Sequence, residues 1–207
     1  MFLFSHILLA ASWLFYVFLH SVLATIWFKS VIERTVGKHY FRFYRLSYSL
    51  FAFITLAGIM TFQFSIKSSL VLNRSLPLSI FGILLSVAGL AVMAACIKKY
   101  FMNLSGVDVL TNKVRGQVLE VNGLHEYVRH PLYSGTLLFI WALFLVFPYL
   151  SNLIACTIIT VYTFLGIGIE ERKLVMEFGE SYRVYSSRIP MLIPSIGKLI
   201  FSKKKTY

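Results

Sequence analysis

The chain has 207 residues, of which 58 % are hydrophobic and only 14 % charged, a balance that excludes an ordinary soluble domain of this length. Its 20 lysines and arginines against 8 acidic residues give a formal charge of +12, so the placement of the cations has to account for the excess. Two cysteines, Cys96 and Cys156, both inside apolar runs, give no support to a disulfide framework or a thiolate metal site.

In chain order, residues 2–28, 46–66, 75–97 and 132–169 carry no charge. About 20 apolar residues cross the roughly 30 Å hydrocarbon layer, so each of the first three runs predicts one transmembrane helix. The first run lacks a basic leading segment and outlasts the apolar stretch of a secretory signal, so it is read as a span and not as a cleaved leader. The fourth run is too long for one crossing. Pro148, followed by Tyr149, Leu150, Ser151 and Asn152, is its only turn chemistry and divides it into a hairpin of two helices, 132–147 and 150–169. The expectation is an all-α integral membrane protein of five transmembrane helices with a C-terminal helical hairpin, one domain over 1–207 without internal repeat.

With five spans, the segments after spans 1, 3 and 5 share a side, and that side holds 18 of the 20 cations and all eight acidic residues. The positive-inside rule then places the N-terminus outside and the C-terminus in the cytoplasm, in the cytoplasmic membrane. The excess charge is largely topological and calls for no nucleic acid. Lys203, Lys204 and Lys205 are candidates to touch anionic headgroups of the bilayer. The outer loops are short and poor in polar groups, so a site is expected at the cytoplasmic boundary.

Two constellations stand at that boundary. Arg129, His130 and Pro131 open span 4, where proline at the first helical position costs no hydrogen bond, and a guanidinium beside free helix N–H groups suits a carboxylate. Span 4 itself, with 16 residues, reaches only about 24 Å, which keeps this turn near the apolar boundary. Glu170 and Glu171 stand where span 5 ends, and the hairpin makes them neighbours of Arg129 and His130. Leu174, Phe178, Tyr182 and Tyr185 follow as one face of an amphipathic helix. An anion site and a structural ion pair are both open readings, although ionisable groups at this depth point to function. His20, followed by Ser21 inside span 1, is either a helix-to-helix hydrogen bond or a substrate contact. No metal site is expected, since no His-x-x-x-His or Glu-x-x-His pair occurs, and His6 and His20 share a helix four turns apart, which disfavours haem. Phosphate loops and nucleophile elbows are absent from the sequence.

Taken together, Arg-His-Pro-x-Tyr-x-Gly (Arg129, His130, Pro131, Tyr133, Gly135) and Glu-Glu-x-x-Leu-x-x-x-Phe-Gly-x-x-Tyr-x-x-Tyr (Glu170 to Tyr185), closed by Pro190 and Pro194, resemble the isoprenylcysteine carboxyl methyltransferase superfamily. The N-terminal LHSVLATIWFK and the closing third are most similar to its NnrU and methanethiol S-methyltransferase branch. The resemblance implies a membrane methyltransferase that uses S-adenosylmethionine on a small thiol or lipophilic acceptor, with its core in residues 117–194. It implies that Gln117, Leu119, His125, His130, Pro131 and Tyr133 line a cytoplasmic cofactor pocket and that Glu170 holds the cofactor's charged end. Arg129 and Glu171 are the catalytic candidates, and His20 the substrate contact. The chain departs from the superfamily at His125, where tyrosine is usual, and at Gly166, where prenylcysteine enzymes carry the arginine that would pair a substrate carboxylate. A non-catalytic NnrU-like protein linked to nitrogen-oxide metabolism and a nicotinamide-dependent membrane reductase are the alternatives.

Overall fold

The computed structural model describes residues 2–41, 43–105 and 119–195; Gln117 and the lysines at 203–205 lie outside them. Seven α-helices carry the described chain: α1 (Phe2–Ala24), α2 (Ile26–Phe41), α3 (Tyr44–Ser65), α4 (Leu76–Ser105), α5 (Pro131–Val146), α6 (Leu150–Phe178) and α7 (Glu180–Arg188), with a 3-10 turn at Gly123–Glu126. Four of them contain stretches long and apolar enough to cross a membrane: Phe2–Ala24, Leu46–Ser65, Leu76–Lys98 and Leu150–Phe178. The remaining apolar helix, α5, has only 16 residues. Four of the five expected crossings thus fall on helices of crossing length, and the fifth falls on this shorter one.

Local chemistry explains where these helices begin and stop. Pro131 occupies the first turn of α5, and at its other end Phe147, immediately before Pro148, leaves helical geometry at φ −124°, ψ 74°. Hydropathy misplaces the end of α1. The apolar run continues to Phe28, but the helix stops at Ala24 because Thr25 caps α2, its hydroxyl accepting the Phe28 N–H at 3.2 Å. The amphipathic face expected as one helix is also broken. Gly179, at φ +53°, separates α6 from α7 between Phe178 and Tyr182.

Two contacts hold the helices together. Leu9 and Trp13 of α1 bury against Ala155 of α6, with Tyr16, Ile59 and Ile158 packed around them. At the same level the Trp13 indole donates to Gln63 Oε1 at 2.8 Å and Gln63 donates to Asn152 Oδ1 at 2.7 Å, so no polar atom of this trio faces hydrocarbon unpaired. Near the tips, Val71 N–H donates to the Pro148 carbonyl and Leu150 N–H to that of Ser69, which ties the loop after α3 to the hairpin.

The second contact is backbone against backbone. A Cβ on Gly89 of α4 would stand 2.8 Å from the Phe139 nitrogen and 2.9 Å from the Gly135 carbonyl oxygen of α5, and one on Gly82 would meet Val146 and Ala142 as closely. Small residues at such positions let apolar helices approach where lipid supplies no hydrophobic drive. Gly89→Ala is expected to destabilise by about 1–3 kcal/mol, the usual cost of overpacking. Gly58→Ala, where nothing lies within 4 Å of the new carbon, should not destabilise the protein. Thermal unfolding of the two variants in detergent makes the comparison.

Candidate functional site

The site is assembled on the first turn of α5. The segment after α7 runs across this turn: Arg129 N–H donates to the Pro190 carbonyl at 2.9 Å, His130 N–H to that of Met191 at 3.1 Å, and the Ser134 hydroxyl to that of Leu192 at 2.7 Å. These bonds pin the Arg-His-Pro turn between α6 and the C-terminal segment.

Arg129 is thereby committed. Its Nε and Nη2 both contact Glu171 Oε1 at 2.7 Å, and Nη1 donates to the carbonyls of Ser186 and Ile189, each at 2.8 Å. Four of its five N–H groups are in use, so the guanidinium is not the open carboxylate receptor that its sequence position suggested. His130, 5 % exposed, completes the cluster with Nε2 3.1 Å from the same Glu171 oxygen. A carboxylate already accepting from arginine has no proton to offer, so Nε2 is the donor in this pair.

Glu170 faces elsewhere. The His130 Nδ1 stands 3.8 Å away, too long for a hydrogen bond, and the Glu170 side chain is 45 % exposed. Beside it lies the Tyr133 phenol, whose ring stacks on His130 with centroids 5.7 Å apart. Glu170 and Tyr133 open onto a cavity of about 320 Å³ whose wall also includes Leu119, His125, Arg129, His130 and Pro131. This brings together every described residue expected to bind cofactor; Gln117 lies outside the described chain. Glu171 is not part of the wall.

The cavity has further walls that the sequence signalled only indirectly. Leu174, Phe178, Tyr182 and Tyr185 all line it, so the face expected of one amphipathic helix is preserved across the break at Gly179. Cys96 of α4 and Glu120 also contribute, and no spacing had singled them out. His20 does not join this cluster. It lines a separate cavity of about 320 Å³ between α1 and α3, with its Nδ1 2.8 Å from the Tyr48 hydroxyl.

Fold and site define a helical membrane protein with a small, mainly apolar cavity carrying a few charged groups, where its apolar helices give way to charged segments. The chain belongs to the phospholipid methyltransferase family, which residues 76–181 match. It is similar to methanethiol S-methyltransferase 1 of Bradyrhizobium diazoefficiens, 31 % identical over 185 residues that cover 84 % of this chain and 62 % of that one. It also resembles methanethiol S-methyltransferase of Crocosphaera subtropica, 40 % identical over 74 residues, 36 % of this chain and 28 % of that one. Protein-S-isoprenylcysteine O-methyltransferase of Schizosaccharomyces pombe is 35 % identical over 91 residues, 42 % and 38 % of the two chains. The matched stretches span less than two thirds of these relatives' length. No solved structure matches the chain.

Proposed function

We propose that the protein is an integral-membrane methyltransferase that binds S-adenosylmethionine in the cavity beneath the first turn of α5 and methylates a small thiol or lipophilic acceptor. The observation that carries this reading is the division of labour between adjacent glutamates. Glu171 is consumed by Arg129 and His130, while Glu170 presents a carboxylate to a cavity whose walls are largely apolar and aromatic, with Glu120, His125, Arg129 and His130 among them. That lining fits the group: the cofactor carries an ammonium for Glu170 and a flat, partly apolar adenosine for the walls, and cavities from about 300 Å³ upward hold such ligands. When bound, it supplies an electrophilic methyl on a sulfonium, which an acceptor sulfur takes as the acceptor's proton leaves. The chain's own task is positioning and charge placement. Arg129 and Glu171 serve it by holding the C-terminal segment against α5 so that Glu170, His130 and Tyr133 share one wall.

Beside Glu170 there is room for a small acceptor. Ala155, Ile159, Tyr162, Gly166 and Glu170 follow at steps of four, three, four and four along one face of α6. Ala155 and Ile159 pack at the α1 contact and the Tyr162 hydroxyl accepts from Ser21, but a Cβ on Gly166 would meet nothing within 4 Å. With glycine at 166, that position supplies no guanidinium for a substrate carboxylate, which favours a small uncharged thiol, in keeping with the names of the relatives. His20, whose ring stands edge to face on Tyr162 with centroids 6.2 Å apart, is a contact for the acceptor on its way in.

The charge distribution supports an N-terminus outside and a cofactor site facing the cytoplasm. Inverted and right-side-out membrane vesicles, given labelled S-adenosylmethionine and a panel of small thiols, prenylcysteines and aminolipids, test activity and orientation together. Transfer to a small thiol is expected in inverted vesicles only. Binding of NADPH without S-adenosylmethionine, or transfer in right-side-out vesicles alone, would contradict the respective part of the reading.

A further inference from the structure

We propose that His20 is the base that takes the acceptor's proton, and that a small thiol reaches it through the cavity between α1 and α3. This rests on the methyltransferase reading above and names a group which that reading lacks. An alkyl thiol is a weak nucleophile until its proton is removed, and an adjacent base supplies that step. At the cofactor cavity the candidate bases have other partners. Glu171 holds Arg129 and His130, and Glu170 is the partner of the ammonium. His125 Nδ1 lies 3.0 Å from the Arg129 carbonyl, and Glu120 accepts from the Asn122 N–H at 3.3 Å.

His20 stands differently. It lines a cavity of about 320 Å³ whose other walls, among them Phe15, Leu19, Phe51 and Ile59, are mainly apolar, which suits an uncharged thiol arriving through hydrocarbon. The Tyr48 hydroxyl lies 2.8 Å from Nδ1, 2.9 Å from Nε2 and 3.3 Å from the His20 carbonyl. A phenol has one proton to give. When Tyr48 donates to the carbonyl and accepts the ring N–H, the lone pair of the second ring nitrogen is available. Tyr16 stacks on the ring from one turn back, and Tyr162 meets it edge to face. Among the described residues, these three phenols are the titratable groups packed on the imidazole from α1, α3 and α6.

Tyr162 joins this ring to the methyl donor. Its hydroxyl accepts from Ser21 at 3.2 Å and lies near the Tyr133 phenol of the cofactor cavity. Gly166 and Glu170 follow Tyr162 at one turn each, so about 12 Å of helix separates Tyr162 from Glu170, with no side chain at Gly166 between them. The reacting sulfur has its place there. The acceptor's S–H bond breaks, its proton goes to the His20 nitrogen, and the electron pair left on sulfur forms the new bond to methyl. The pair of the cleaved methyl–sulfur bond stays with the donor's sulfur. One positive charge thus moves from sulfonium to imidazolium, and no bare thiolate has to persist in an apolar cavity. Between turnovers the ring returns its proton to water, a step suited to a side chain that titrates near neutral pH.

The test measures methyl transfer by the purified full-length protein to ethanethiol and to thiophenol, the second largely ionised at neutral pH, with S-adenosylmethionine affinity read by calorimetry. His20→Gln should lower the rate with ethanethiol by about a hundredfold or more, the scale of lost general-base catalysis, and that with thiophenol far less, at unchanged cofactor affinity. Tyr48→Phe removes only the hydroxyl that orients the imidazole. It should show the same selectivity at smaller amplitude, and it decides the matter if His20→Gln does not fold. Equal losses with both thiols, no loss with ethanethiol, or a loss of cofactor affinity that accounts for the rate would each overturn the assignment. Wild-type protein that transfers to neither thiol removes the methyltransferase reading itself, a result distinct from a wild type that transfers and a variant that transfers equally well.

Discussion

Replacing Glu170 by glutamine is expected to weaken S-adenosylmethionine binding by about 1.5–3 kcal/mol, the range for a hydrogen bond to a charged group, with the fold intact. Both halves of the expectation come from the same geometry. The carboxylate lines the cavity and stands 3.8 Å from the His130 ring, beyond a hydrogen bond, so removing the charge takes little from the folded protein and much from a ligand ammonium. The amide keeps the shape of the wall, which separates loss of charge from loss of packing. Calorimetric titration and thermal unfolding of the same preparation decide the matter. Wild-type affinity in a folded Glu170→Gln protein would remove Glu170 from the site.

Arg129→Met should act in the opposite way, destabilising the protein by about 3–5 kcal/mol, as expected when a largely buried ion pair loses one partner. The side chains are 14 % and 26 % exposed, so solvent screens the remaining Glu171 charge only in part. A neutral pair at both positions usually recovers such a loss, but here recovery should be incomplete. Arg129 also holds the half-buried Ser186 and Ile189 carbonyls, bonds that a neutral pair does not replace. Glu171→Gln should be milder than Arg129→Met because its amide oxygen still accepts. Denaturant unfolding of the two single variants and the double variant reads this order. Equal stability of Arg129→Met and wild type would show that the cluster does not hold the C-terminal segment in place.

Much of the architecture was legible in the residues because its causes are local. Charge-free runs mark the apolar helices, Pro131 starts one, Pro148 ends it, and the distribution of charge points to the end where the chemistry gathers. The boundary at Thr25 was hidden because its cap is one hydroxyl inside an unbroken apolar run. Glycine was ambiguous as well. Gly166 and Gly168 lie within α6, while Gly179, of the same composition and context by eye, ends it with a positive φ.

By itself the sequence determined the class of protein, the hairpin and the set of residues that meet at the start of α5, since periodicity, proline geometry and hydrophobic length act over a few turns of chain. The resemblance pointed to Glu170 at the cavity, but only the tertiary structure decided that Glu171 turns away from it to Arg129 and His130. Neighbours on a helix point about 100° apart, and nothing in a pattern of letters sets the rotation of α6 against α5. The same holds for Arg129. Its carbonyl partners at Ser186 and Ile189 lie nearly sixty residues away, and backbone oxygens leave no trace in side-chain sequence.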